Sequence, residues 1–265
     1  MYTESPEVSH KVSRPLSRQT LSAVIITKNA ANQLAACLES VSFADEIVVV
    51  DSDSSDGTAE LAALRGARVL RKEWLGFGAQ KQFAVEAARH DWVLCLDADE
   101  RVSEHLRASI LAQLAAPATQ AYAMPRRNRF MGRWLRHGEG YPDWSLRLFD
   151  RRHARWSDDP VHEKVLTGAP VARLEGDLLH DSAETLEAYL DKQNRYTSMQ
   201  AVALFKAGKR AGVAQLLLSP VLRFAKFYFL RLGFLDGAAG LVHIAIGCCN
   251  SFHKYAKLMA LQRGG

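Results

Sequence analysis

The chain has 265 residues, long enough for one large core with an appended helical region, and its 48% hydrophobic content is ordinary for a globular protein. A net charge of +5 fits anionic partners such as phosphates or a membrane surface. The four cysteines (Cys37, Cys95 and the adjacent Cys248 and Cys249) make no disulfide framework, which excludes a disulfide-stapled scaffold and suits a reducing cytoplasm.

Residues 1–20 are polar, lack the apolar stretch of a secretory signal and read as a mobile leader. A first apolar strand is expected over residues 21–26, ending at Thr27-Lys28-Asn29, with a helix over 31–40. A β-branched strand at 46–50 then runs straight into Asp51-Ser52-Asp53-Ser54-Ser55-Asp56-Gly57-Thr58. Helical patterns at 58–64 and 79–89 flank a third strand at 67–70. Continuous apolar strands alternating with helices predict an α/β fold with a parallel sheet covered on both faces. Asp53 and Asp56 are equally well read as caps of the helix that follows. Asp51 follows its strand directly and fits capping less well. Thr27 and Asn29 are open to a second reading as turn residues.

Residues 92–100, Trp-Val-Leu-Cys-Leu-Asp-Ala-Asp-Glu, are the most informative stretch. An apolar run of strand length ends in two carboxylates, Asp97 and Asp99. A buried strand cannot hold two unpaired charges, so both belong at its C-terminal tip, where open α/β sheets bind ligands. Paired carboxylates there suit Mg²⁺ or Mn²⁺, hard cations that also hold substrate phosphates. Glu100 and Ser103 are left to cap the next helix.

The chain resembles glycosyltransferase family 2, with the Rossmann-like GT-A nucleotide-sugar fold. The residues that carry the resemblance are Val24 through Asn29, Ile47 through Ser52, Asp56-Gly57-Thr58 and Leu96 through Glu100. Gly78-Ala79-Gln80-Lys81-Gln82, Tyr141-Pro142-Asp143-Trp144, Arg147-Leu148-Phe149 and Val161-His162-Glu163 look more narrowly like bacterial lipopolysaccharide core glucosyltransferases. The resemblance spans about residues 20 to 260. It implies that Thr27, Asn29 and Asp51 hold the nucleobase and ribose, that Asp97 sits near the ribose or the metal, and that Asp99 binds the cation bridging the donor phosphates. Lys81 opens a helix beside this site and is read either as a base or phosphate contact or as a solvated lysine.

An inverting transferase also needs a carboxylate to take the proton of the acceptor hydroxyl. Glu163 is preferred, since an adjacent His and the preceding acidic turn read as a site loop. Asp143 is the second candidate and could orient acceptor hydroxyls, with Trp144 as a stacking surface for a sugar ring. An ion pair with one of the nearby arginines is the plain alternative for both. His180 and His162 are candidates for the metal or diphosphate, as the resemblance implies, although a lone His is more often structural.

The basic, aromatic segment from Arg126 to Arg136 can in principle bind nucleic acid. Beside sugar chemistry, a phosphorylated glycolipid or an anionic leaflet is the partner expected, with a solvated loop as a third reading. Beyond residue 180 the composition shifts. A helix is expected over 184–207, then apolar and cationic residues alternate through 222–231. Residues 238–249 are apolar but shorter than the roughly 20 residues a bilayer span needs, and a basic helix follows at 251–262. Such helices suit the interface of an anionic membrane; an ordinary packed subdomain is the alternative.

The expectation is therefore a transferase domain over 21–180 and a membrane-proximal helical region over 181–265. The function expected is metal-dependent, inverting transfer of a hexose, from UDP-glucose, to a lipopolysaccharide inner-core acceptor at the cytoplasmic face of the inner membrane. Two rivals remain. One is a family 2 transferase acting on a polyprenyl phosphate. The other is a phosphatase with Asp97 as nucleophile, against which Arg101 stands where those enzymes carry Thr.

Overall fold

The computed structural model describes residues 18–159, 163–182 and 185–264; His162, Glu184 and most of the leader lie outside these residues. The first half alternates as the sequence predicts: β1 (Leu21–Thr27), α1 (Ala31–Ser40), β2 (Glu46–Asp51), α2 (Thr58–Leu64), β3 (Arg68–Arg71), α3 (Phe77–Ala87), β4 (Trp92–Asp97), β5 (Glu100–Val102) and α4 (Glu104–Ala115). Strands dominate the next segment: β6 (Ala121–Phe130), β7 (Arg133–Trp134), β8 (Asp143–Asp150), β9 (Ala154–Trp156), β10 (Val165–Thr167), β11 (Val171–Arg173) and β12 (Leu178–His180). Three long helices end the chain: α5 (Leu186–Lys206), α6 (Val213–Phe224) and α7 (Gly237–Gly264). A wide helical turn (Ala225–Leu230) and a 3₁₀ turn (Gly233–Asp236) join the last two.

The main sheet runs β3-β2-β1-β4-β8-β6-β12-β5, with β7 and β11 also on β6. Strands β1 to β4 pair in parallel, and β8 enters antiparallel to both β4 and β6. Every residue of β1 is buried, as expected for a strand covered on both faces. Leu21, Ile25, Leu34, Leu94 and Leu106 pack on one face, and Val24, Val48, Val93 and Phe149 on the other.

Register places the site. Thr27 pairs with Asp51, and Ile26 with Asp97, so the tips of β1, β2 and β4 end level at one edge. Strand β12 slots between β6 and β5, with His180 opposite Asn128 on one side and Glu100 on the other.

Two sequence expectations change in the C-terminal region. The apolar run at 238–249 and the basic helix at 251–262 are one continuous helix of 28 residues, because neither Gly nor Pro interrupts the backbone ladder between them. By length and composition alone, two stretches, Val213–Leu230 and Gly233–Gly264, reach what a bilayer crossing needs. Helix α7 does not stand free, however. A Cβ at Gly247 would lie 3.0 Å from Arg223 Nε, so α7 lies tightly on the Arg223–Glu139 ion pair. The region is tied to the sheet domain through Asp236, whose buried carboxylate accepts from the Arg136 and His137 N–H groups at 3.0 and 2.8 Å.

Candidate active site

A cleft of about 1260 Å³ opens at the tips of β1 and β4 and extends under α5 and α7. Of the sequence-predicted residues, Thr27, Asn29, Lys81, Asp97, Asp99, Glu163 and His180 line it together; Asp51 and Asp143 do not. Asp51 lies behind the wall. Its carboxylate accepts from Thr27 Oγ1 and the Ser54 N–H, both at 3.0 Å, and so shapes the loop after β2. Asn29 takes a left-handed backbone and accepts from the Ser55 N–H at 2.9 Å, bracing that same loop. Asp56 accepts from the N–H groups of Thr58 and Ala31, the first residues of α2 and α1, while Gly57 holds the N-cap position of α2.

Helix α3 carries the next layer. Its Ala79-Gln80-Lys81-Gln82 stretch ties three elements together: Gln80 donates to Ser52 Oγ at 3.0 Å, Gln82 accepts from the Trp156 N–H at 2.9 Å, and Lys81 faces the cleft. Gly78 lets the loop before β10 approach. A Cβ there would lie 2.4 Å from the Ser157 carbonyl oxygen and 3.3 Å from Glu163 Cβ. Lys81 is nearly buried, not solvated. Its ammonium lies 3.1 Å from Asp97 Oδ1 and 3.4 Å from Glu163 Oε1, over the Trp156 ring.

Beneath Asp97 is a charge network that the sequence reading missed. Glu100 does not cap α4; Ser103 does, accepting from the Leu106 N–H at 3.3 Å. Glu100 is fully buried, accepts from the Asp97 N–H at 3.0 Å, and pairs with Arg147 at 2.9 Å and Arg126 at 3.4 Å. Arg147 also reaches Asp97 Oδ2 at 2.9 Å. Burial alone would raise the Asp97 pKa, but Arg147 and then Lys81 prevail and hold it well below the usual carboxylate range. Asp97 is thus ionised with two cations already on it. Arg126 in turn grips Asp143 through Nε and Nη2 at 2.9 and 2.7 Å, so Asp143 is an ion-pair partner of this cleft-wall arginine. Trp144 stacks under Arg173 at 4.4 Å, away from this cleft. Arg127 and Arg129 of the basic segment pair with Asp177 and Asp181.

Asp99 and His180 face each other at 3.2 Å, carboxylate to Nε2. Asn128 fixes the ring. Its amide donates to the Gly140 carbonyl at 3.2 Å, so its Oδ1 is the atom that accepts from His180 Nδ1 at 2.8 Å. With the proton on Nδ1, the Nε2 lone pair points at a carboxylate, and only a proton or a cation between them makes that arrangement favourable. Among the described residues no three His, Cys, Asp or Glu side chains gather to hold a metal on their own. The pair therefore fits a cation whose other ligands come from substrate phosphates and water, the usual habit of Mg²⁺.

The cleft also has walls that no motif announced. Trp74 and Phe77 meet edge to face at 4.8 Å, both partly exposed. At the other end Phe130, Tyr189 and His243 form an aromatic cluster contributed by β6, α5 and α7. A periodicity argument reads such residues as helix core, and only the tertiary arrangement turns them toward the cleft.

Comparison with known proteins bears on the family and the fold. The family description "Glycosyl transferase family 2" matches residues 22–173. A lipopolysaccharide core biosynthesis glycosyltransferase, LpsC of Rhizobium meliloti, is 31% identical over 90% of this chain and 91% of its own length. An uncharacterized glycosyltransferase of Rickettsia typhi is 32% identical over 91% of this chain and 87% of its own. Among solved structures, a mannosyltransferase of Pyrobaculum calidifontis in complex with GDP-Man and Mn²⁺ superposes with a TM-score of 0.53 at 16% identity, covering 94% of this chain and 88% of that one. By the family match and these relatives, the chain belongs to glycosyltransferase family 2, as a glycosyltransferase of GT-A fold.

Proposed function

We propose that this protein is a metal-dependent, inverting hexosyltransferase that uses UDP-glucose and acts on a lipopolysaccharide inner-core acceptor at the cytoplasmic face of the inner membrane. The observation that carries this reading is that one cleft brings the Asp99–His180 pair and Glu163 together. The core-biosynthesis relative from Rhizobium meliloti supports the acceptor class, and the Mn²⁺ and GDP-Man held by the mannosyltransferase support a cation and a nucleotide-sugar donor. Glucose and uridine rest on the sequence resemblance. Residues 21–180 carry the catalytic groups, and residues 181–265 are the membrane-associating part that also walls the acceptor end of the cleft.

In this reading Thr27 and Asn29 bound the nucleoside end, with Asp51 holding their loop from behind. Asp99 and His180 would hold a divalent cation, which when bound would supply Lewis-acid stabilisation of the diphosphate leaving group. Asp97 holds Lys81 at the cleft floor, is anchored from beneath by the buried Arg147, and would add negative charge to a cation site at the strand tip. Glu163 takes the proton of the acceptor hydroxyl. That oxygen bonds to the anomeric carbon as the bond to the diphosphate oxygen breaks, and the configuration inverts in one displacement. Asp143 acts through Arg126, which it orients at the cleft wall.

The test is turnover of a nucleotide-sugar panel by purified protein with Mn²⁺ or Mg²⁺, then with chelator, using core glycolipid as acceptor. UDP release that needs metal and glycolipid, and that disappears in Asp99→Ala, is expected. Glu163→Gln should retain donor binding and lose transfer by about 10²–10⁴-fold. Near-normal transfer by that variant would favour a polyprenyl phosphate, whose acceptor oxygen is already anionic and needs no base.

A further inference from the structure

A second cavity of about 670 Å³ lies between the segment joining β7 to β8 and the turns joining α6 to α7, and it shares no lining residue with the catalytic cleft. Arg136, His137, Trp144, Arg173 and Arg231 line it, with Leu230 and Leu232 at its side. We propose that this cavity binds the phosphate of an anionic glycerophospholipid headgroup, and so sets how the catalytic cleft stands over the bilayer. The proposal rests on the membrane-associated reading above.

Charge is the first argument. Several arginines nearby are neutralised within the protein: Arg126 by Glu100 and Asp143, Arg127 by Asp177, Arg129 by Asp181, Arg223 by Glu139; Arg133, outside the cavity lining, donates instead to the Leu235 carbonyl at 3.1 Å. Arg136, Arg173 and Arg231 differ. Among the described residues none of them has a carboxylate at ion-pair distance; Arg173 lies over Trp144, and the Arg231 guanidinium donates to the Tyr141 carbonyl at 3.3 Å. Three uncompensated guanidiniums around one hollow repel each other and concentrate a positive field there. Their planar forks match phosphate oxygens, two at a time.

The cavity is also built, since its backbone is fixed from behind. The Gly138 N–H donates to the Arg231 carbonyl at 2.8 Å, and Asp236 holds the N–H groups of Arg136 and His137. Two of the three arginines therefore start from anchored backbone, and Arg173 sits on a strand paired to β6.

The apolar surroundings select the source of the phosphate. The stretch Val213–Leu230 has a mean hydropathy of 1.3 with none of it buried, and it ends at the cavity wall. Leu222 and Leu230 are 66% and 80% exposed. A contiguous exposed apolar face of this kind marks a membrane or partner contact. Joined to a cationic hollow, it offers acyl chains and a headgroup phosphate their two complementary surfaces at once. A free phosphate would use the same arginines but leave that face uncovered; the acceptor glycolipid has acyl chains of its own, and the activity arm of the test separates it from a phospholipid.

The test is flotation of the purified full chain with vesicles of phosphatidylcholine alone and mixed with phosphatidylglycerol, with no donor or acceptor present. Failure here would therefore leave the transferase reading intact. Wild type should float with the anionic vesicles only. Each basic residue near an anionic leaflet contributes roughly a fivefold factor, so Arg136→Gln/Arg173→Gln/Arg231→Gln should bind on the order of 100-fold more weakly. Its activity on detergent-solubilised acceptor should stay at the wild-type level. The corresponding triple Lys variant keeps the charge and loses the forks; it should bind several-fold more weakly, and it carries the test if the Gln variant fails to fold. Wild-type flotation by the Gln variant overturns the proposal. Wild-type flotation by the Lys variant reduces the cavity to diffuse charge. Loss of detergent-phase activity in step with flotation assigns the phosphate to the acceptor instead, and either of these results also overturns it.

Discussion

Lys81 lies 3.4 Å from Glu163, and the same ammonium is 3.1 Å from Asp97. One helix lysine thus spaces a proposed base from the carboxylate at the tip of β4. Buried at 4% exposure, it keeps two anions close without their mutual repulsion. Lys81→Met removes that bridge while Arg147 still holds Asp97. Transfer should fall about 10–100-fold, because a displaced reacting group costs that much. Stability should fall by about 1–3 kcal/mol, the cost of leaving a buried polar partner unsatisfied. Steady-state kinetics and urea unfolding check both, and a variant of wild-type rate would remove Lys81 from any part in positioning Glu163.

Asn128 offers a separate handle on the cation. Its Oδ1 fixes the His180 ring from the side opposite Asp99. Removing a partner that orients a metal-ligating His weakens metal affinity by about 10–100-fold. Asn128→Ala should therefore shift the Mn²⁺ concentration for half-maximal activity upward by that factor, with activity recovered at high Mn²⁺. A merely structural Asn128 would lower activity at every Mn²⁺ concentration and leave the midpoint where it was.

The parts of this site that the sequence disclosed are those written locally. Helices α1 and α2 match their expected bounds, since each lies between a strand tip and the next apolar run. The strand tips emerge at Thr27, Asp51 and Asp97 because continuous apolar runs stop there. Glu100 shows where local reading fails. Beside Ser103 it looks like helix-start chemistry, yet it is the buried centre of an ion network whose cations, Arg126 and Arg147, come from strands 26 and 47 residues away. No periodicity reports such a partner. The insertion of β12 beside β5, which brings His180 to Asp99, is equally non-local, and the sequence suggested it only through an apolar run ending in His. The tight passage of α7 over the Arg223–Glu139 pair was hidden for the same reason.

Acid should unfold this protein in a defined window. Asp97 lies well below the usual carboxylate range, and Asp45, Glu46 and Asp150 are also lowered: each is raised by burial, then carried downward by hydrogen bonds and neighbouring cations. A carboxylate with a lowered folded pKa stabilises fully above its unfolded value and loses that contribution as pH falls through the folded one. His243 is lowered too, by burial and then by Arg223, so protonation of the unfolded chain begins to weaken the fold below about pH 6.5. Urea midpoints should be flat from about pH 7 to 8, decline gently below about 6.5, and drop steeply below about 4. His243→Gln should remove the gentle decline and keep the steep one. A single acid transition unaffected by that substitution would contradict the assignment.

Gly78 is the last position where packing and catalysis can be separated. A methyl group there would meet the Ser157 carbonyl oxygen at 2.4 Å, and that oxygen belongs to backbone, so the loop must yield or the helix must shift. Overpacking of this kind costs about 1–3 kcal/mol. The loop that moves is the one carrying Glu163, whose Cβ stands only 3.3 Å from the same point. Displacing a reacting group by about 1 Å can cost on the order of 100-fold in rate. Gly78→Ala should therefore lower kcat by 10–100-fold while nucleotide-sugar affinity stays within about twofold, since the Asp99–His180 pair lies on other elements. Donor binding by calorimetry and transfer at saturating acceptor separate the two effects. Equal loss of both would mean that α3 itself has moved, and retention of both would mean that the loop before β10 accommodates the methyl group without carrying Glu163 along.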